Sequence, residues 1–72
     1  MTPAQIAQAR RKLGLTLEQF GAALGYGGSP QSIRTMAYRL ERGERQLQPA
    51  QALVLAAYLD GWRPVGWPHA IA

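Results

Sequence analysis

Seventy-two residues make one small domain at most, and the absence of cysteine excludes disulfides and thiolate metal sites. Eight Lys and Arg against four Asp and Glu leave a formal charge of +4 and a pI near 10.4. Seven of the eight cations are Arg, a side chain suited to bidentate recognition of phosphate or guanine, although a basic surface also serves plain solubility.

Position must therefore decide, and the chain is taken in order. Thr2-Pro3-Ala4-Gln5 predicts a helix start, with Thr as N-cap, Pro at the first helical position and Gln at the third. Ile6, Arg10 and Leu13 share one face at i, i+4, i+7 spacing, and Arg11 and Lys12 turn outward. Gly14 ends this helix, whose basic last turn suits the negative end of the helix dipole.

Thr16-Leu17-Glu18-Gln19 is a second capping box, which predicts helix 2 from about Leu17 to Leu24. Phe20 and Leu24 face the core, with Leu17 on the adjoining stripe. Gly21 costs a short helix roughly 1 kcal/mol against alanine, and close approach by another helix is the expected compensation.

Gly25-Tyr26-Gly27-Gly28 breaks the helix. A phosphate cradle is rejected, because no Gly-Lys-Ser/Thr follows and Pro30 stands where a third glycine of GxGxxG would fall. Helix 3 runs to about Arg42, with Gly43 past its end. Its start is open: Ser29-Pro30 reads as N-cap and first position, or Ser32 is the N-cap after an extended loop. Ile33, Ala37 and Leu40, with Met36 beside them, form the buried stripe. Gln31, Arg34, Thr35, Tyr38, Arg39 and Arg42 fall largely outside it.

Gln48-Pro49 begins a last helix to about Leu59, closed by Asp60-Gly61. Its apolar residues occupy more than one face. Two explanations stand side by side: a dimer or partner contact through Leu55, Tyr58 and Leu59, or a tail that folds back over them. Residues 1–61 form the domain, and 62–72 are a Trp/Pro tail in which Trp62 and Trp67 should pack on the domain or on a partner. The longest apolar run, Ala52–Leu59, is too short to cross a bilayer, and the N-terminus lacks a signal peptide's apolar core. Those features predict a soluble protein of the reducing cytoplasm.

Three pieces of text occur in order: Arg10-x-x-Leu13-Gly14-Leu15-Thr16, then Phe20-Gly21-x-x-Leu24-Gly25, then Ile33 through Leu40-Glu41-Arg42-Gly43-Glu44-Arg45. Together they resemble the Cro/CI-type (Xre-like) helix-turn-helix regulators of phage and bacteria, over roughly residues 3–60. The resemblance implies an all-α, lambda-repressor-like bundle of four to five helices, with helix 3 in the major groove of double-stranded DNA. It carries base reading to Arg34, Thr35, Tyr38 and Arg39, with Gln31 and Ser32 added at the amino end of the helix. Phosphate contacts fall to Thr16, Arg42 and Arg45, and an internal ion pair to Arg10 and Glu41. The pattern is broken twice. Leu17 stands where a phosphate-gripping Gln is common, and GYGGSPQS replaces a short turn.

The implied function is an autoregulatory repressor that binds a two-fold operator as a homodimer. The other expectation is a protein-interaction module, antitoxin or adaptor, that uses the last helix and tail. No enzyme, metal or cofactor is expected, because Glu18, Glu41, Glu44 and Asp60 are scattered and His69 reads as an ordinary terminal residue.

Overall fold

The computed structural model describes residues 1–65 and Trp67, and these are all-helical. Four helices follow in order: α1 (Pro3–Leu13), α2 (Leu17–Ala23), α3 (Pro30–Arg42) and α4 (Pro49–Leu59). No strand occurs among the described residues. His69 and the end of the tail lie outside them.

Local chemistry sets the helix ends. At α1 the Thr2 hydroxyl accepts from the Gln5 N–H at 3.1 Å, while Gln5 Oε1 accepts from the Thr2 N–H at 2.8 Å. The same reciprocal pair joins Thr16 and Gln19 at α2, at 3.2 and 3.0 Å. Such caps satisfy amide donors that the first helical turn leaves without partners. The start of α3 is Ser29, whose hydroxyl accepts from the Ser32 N–H at 3.2 Å with Pro30 following. Ser32 thus lies inside the first turn and is not the cap. Gly14 and Gly43 close α1 and α3 with φ of 71° and 77°, a left-handed conformation that side chains with a Cβ rarely adopt.

The core sits where the four helices meet. Phe20, Leu40 and Leu55 are its fully buried large side chains, joined by Ile6, Ala9, Leu15, Leu24, Ala37 and Tyr58. Helix α3 lies against α2 and α1, and α1 also packs on α4. The α2–α3 contact is the closest. A Cβ built on Gly21 would stand 2.6 Å from Ile33 Cγ2 and 2.7 Å from the Ile33 carbonyl oxygen. Here the glycine's cost to helix α2 is offset by a separation that no other residue allows.

Arg10 joins α1 to the end of α3. Its Nε donates to Glu41 Oε2 at 2.6 Å, Nη2 to Glu41 Oε1 at 3.4 Å, and Nη1 to the Leu15 carbonyl at 3.0 Å. Both side chains are largely shielded from water, which strengthens the attraction and makes loss of one partner costly.

The structure corrects the reading of α4. Leu55 has no exposed surface and Tyr58 only 5%, so neither lies on a dimer or partner surface of the folded chain. Tyr58 donates its hydroxyl proton to the Ala23 carbonyl at 2.7 Å and so ties α4 to α2. The large apolar side chain that α4 turns outward is Leu53, 74% exposed, and Leu59 is half-buried. Part of the tail does fold back. Trp62 stacks on Tyr58 with ring centroids 5.6 Å apart, and Trp67 packs on the same ring at 4.8 Å. Arg63 locks this turn by donating to the Tyr58 carbonyl at 2.7 Å, an oxygen that also accepts from the Gly61 N–H at 3.0 Å.

Candidate nucleic-acid interface

Helix α3 has two unlike sides because its apolar residues recur at helical spacing. Ala37 and Leu40 are buried, with Ile33 and Met36 half-buried around them. Helical periodicity puts Gln31, Arg34, Thr35, Tyr38 and Arg42 on the opposite side, with Ser32 and Arg39 along its edge. All but Thr35 of these are exposed, and Thr35 is half-buried.

Their hydrogen bonds separate occupied from available groups. The Thr35 hydroxyl donates to the Gln31 carbonyl at 2.9 Å, so its proton is taken and its oxygen remains only as an acceptor. The Ser32 hydroxyl accepts from Ser29 at 3.0 Å and keeps its own proton to donate. Arg34 and Arg39 have no hydrogen-bond or ion-pair partner among the described residues. They are exposed guanidiniums at the middle of the helix, and each offers five donors in a planar fork.

Arg42 is differently placed. Its Nη1 donates to the Tyr38 hydroxyl at 3.0 Å, its charge lies 5.5 Å from the Tyr38 ring centre, and its Nε pairs with Glu44 at 3.2 Å. Tyr38 first, and the Glu44 carboxylate after it, hold the guanidinium pKa above its ordinary value. This cation is fixed in place but partly neutralised.

Arg45, just beyond α3, lies over the ring of Tyr26 and also donates to its hydroxyl. At the start of α2, Thr16 uses its N–H and one lone pair in the capping box, so the hydroxyl proton is what it has left to donate. Glu18 in the same first turn opposes an anion there. Arg10 belongs to the interior pair with Glu41 and is not part of this face.

The structure thus brings Gln31, Ser32, Arg34, Thr35, Tyr38, Arg39 and Arg42 onto one helix, with Arg45 at its end. It removes Leu55 and Tyr58 from any surface. Comparison with protein families, with curated proteins and with solved structures finds no match to this chain.

The chemistry of the face follows from its own groups. Guanidiniums, an amide and hydroxyls project from a rigid rod of 13 residues, roughly 20 Å long at 1.5 Å per residue. The major groove of B-DNA is about 12 Å wide and accepts an α-helix. Among the described residues, no group of three or more His, Cys, Asp or Glu gathers to hold a metal ion, and no helix is long and apolar enough to cross a membrane. A shallow recess between α1 and α4, lined by Met1, Gln5, Gln8, Ala9, Lys12 and Leu59, lies away from this face and holds no acid–base pair. Tyr26, Gln51 and Leu53 were not singled out from the sequence. A tyrosine in a glycine-rich connection was the only hint, and it does not say what the ring touches.

Proposed function

We propose that this chain is a sequence-specific DNA-binding transcriptional regulator of the helix-turn-helix, lambda-repressor-like kind. In this reading α2 and α3 are the two helices of the motif and α3 enters the major groove. Arg34, Thr35, Tyr38 and Arg39, with Gln31 and Ser32 at the amino end, read base edges. Arg42, Arg45 and the Thr16 hydroxyl hold phosphates and set the register. The observation that carries the reading is the two-sidedness of α3. One side is locked against Gly21 of α2, and the other presents the uncompensated guanidiniums of Arg34 and Arg39.

The chain acts as a homodimer on a two-fold operator, with two copies of α3 about 34 Å apart, one duplex turn. Exposed Leu53 on α4 supports the self-association. Repression of its own gene in the cytoplasm is the use we assign to it. The test is fluorescence anisotropy with the DNA just upstream of the gene against a scrambled duplex of equal length, at about 150 mM salt, where non-specific affinity is weak. Tighter binding to the upstream DNA by ~1000-fold or more is the expected result. Equal, weak and steeply salt-dependent binding to both duplexes overturns autoregulation.

A second reading rests on the same exposed apolar groups. Leu53 and the half-exposed Trp62 also suit a module that binds another protein, as an antitoxin or an adaptor does. Co-purification of a defined partner whose binding is lost in Leu53→Glu, together with no DNA preference, would favour it.

A further inference from the structure

The α2–α3 connection meets the α3–α4 connection at one side chain. Tyr26 is half-buried, and the Arg45 guanidinium carbon lies 5.3 Å from the centre of its ring. Arg45 Nε donates to the Tyr26 hydroxyl at 3.2 Å, and that hydroxyl donates onward to Gln51 Oε1 at 3.4 Å. Gln51, in the first turn of α4, is anchored twice more. Its Oε1 accepts from the Gln48 N–H at 2.9 Å, and its Nε2 donates to the Leu24 carbonyl at 3.2 Å. The end of α2, both connections and the start of α4 therefore converge on one relay of hydrogen bonds that ends at Arg45.

Arg45 differs from the other engaged arginines of this region. Glu41 neutralises Arg10 and Glu44 partly neutralises Arg42, whereas Arg45 has no carboxylate within ion-pair distance among the described residues. Tyr26 takes its Nε proton and its flat face and leaves both terminal nitrogens without a hydrogen-bond partner there. Stacking on a ring restrains a guanidinium without cancelling its charge.

We propose that Tyr26 is a positioning residue that holds Arg45 ready for a DNA phosphate. The α2–α3 connection then sets part of the backbone affinity without touching DNA. This rests on the reading that α3 and its flanks bind duplex DNA. Fixing one long side chain before binding is worth about three- to ten-fold in affinity.

The test is anisotropy with a random-sequence duplex across a salt series, because phosphate contacts do not depend on sequence. Tyr26→Leu should weaken binding about three- to ten-fold and leave the slope of log affinity against log salt unchanged, because every charge remains. Arg45→Ala should lower that slope by about one. Adding Tyr26→Leu to Arg45→Ala should cost nothing more. Tyr26→Phe keeps the ring and loses only the hydroxyl relay; it should fall between wild type and Tyr26→Leu, and its loss should also vanish beside Arg45→Ala. The Phe variant decides the matter if Tyr26→Leu does not fold. A loss that persists undiminished beside Arg45→Ala, or no loss in either Tyr26 variant, overturns the proposal while DNA binding stands. Absence of salt-dependent duplex binding by the wild type removes both.

Discussion

The backbone of Gly21 lies so close to Ile33 that a Cβ on it would meet the Ile33 carbonyl oxygen at 2.7 Å. Two effects compete at Gly21→Ala. Helix propensity alone favours alanine by about 1 kcal/mol. Overpacking against backbone, which cannot rotate away as a side chain can, costs typically ~1–3 kcal/mol. Overpacking should win, so urea unfolding should show a net loss of stability. A gain would mean that α2 and α3 can separate at no cost.

The Arg10–Glu41 pair gives a prediction with an internal control. Arg10→Met leaves the Glu41 carboxylate shielded from water and unpaired, and also frees the Leu15 carbonyl. A loss of about 3 kcal/mol is expected, a large part of a small domain's stability. The double variant Arg10→Met/Glu41→Leu should recover much of it, because no orphaned charge remains. Additive losses in the double variant would show that the pair acts through packing alone.

Burial pushes the Tyr58 phenol above its ordinary pKa of 10.0, and the nearby Arg63 pulls it back only in part. The folded state thus prefers the neutral phenol. The stabilisation from Tyr58 is complete below pH 10.0 and is lost as pH rises through the folded value, so its titration should leave stability independent of pH near neutrality and lower it in alkali. Tyr58→Phe should remove this residue's share of the alkaline loss. It should also cost about 1 kcal/mol at pH 7, through the hydrogen bond to the Ala23 carbonyl. An unchanged alkaline profile in Tyr58→Phe would assign the loss elsewhere.

Arg39 and Arg45 should behave differently toward DNA. Arg39→Ala is expected to cost ~1–3 kcal/mol on the operator and relax specificity at one base pair, while Arg45→Ala weakens all duplexes alike. Binding measured on operator variants and on random DNA separates the two. Equal losses on operator and random DNA for Arg39→Ala would remove it from the base readers.

Leu53 tests self-association. It is 74% exposed, so Leu53→Glu should leave the helical fold of the single chain intact, read as an unchanged far-UV circular dichroism spectrum. Sedimentation should nevertheless show dimers converted to monomers, with weaker operator binding because two half-sites no longer act together. A wild type that sediments as a monomer bound to DNA one copy at a time would sink the dimer.

Signals carried within a few residues were legible without coordinates. The boxes Thr2/Gln5 and Thr16/Gln19 and the stops at Gly14 and Gly43 are local chemistry, in which residue type and spacing determine the hydrogen bond, whereas residue type alone leaves the start of α3 open between Ser29 and Ser32. The buried and exposed sides of α3 were legible for a related reason: apolar and polar residues alternate there at the helical period. The pairing of Arg10 with Glu41 came from resemblance to a family, since nothing in 31 residues of separation fixes a contact.

What only the tertiary structure decided lies where that contrast fails. Along α4 nearly every position is apolar, so periodicity cannot choose a face; packing against the other helices turned Leu55 and Tyr58 inward and left Leu53 outside. The joining of Tyr26 to Arg45 and Gln51 spans 19 and 25 positions and depends on how two connections cross. The sequence determined four helices, most of their ends and a cationic face, because those follow from neighbours along the chain. The partners of each side chain across helices were settled only when the whole chain packed around Phe20, Leu40 and Leu55.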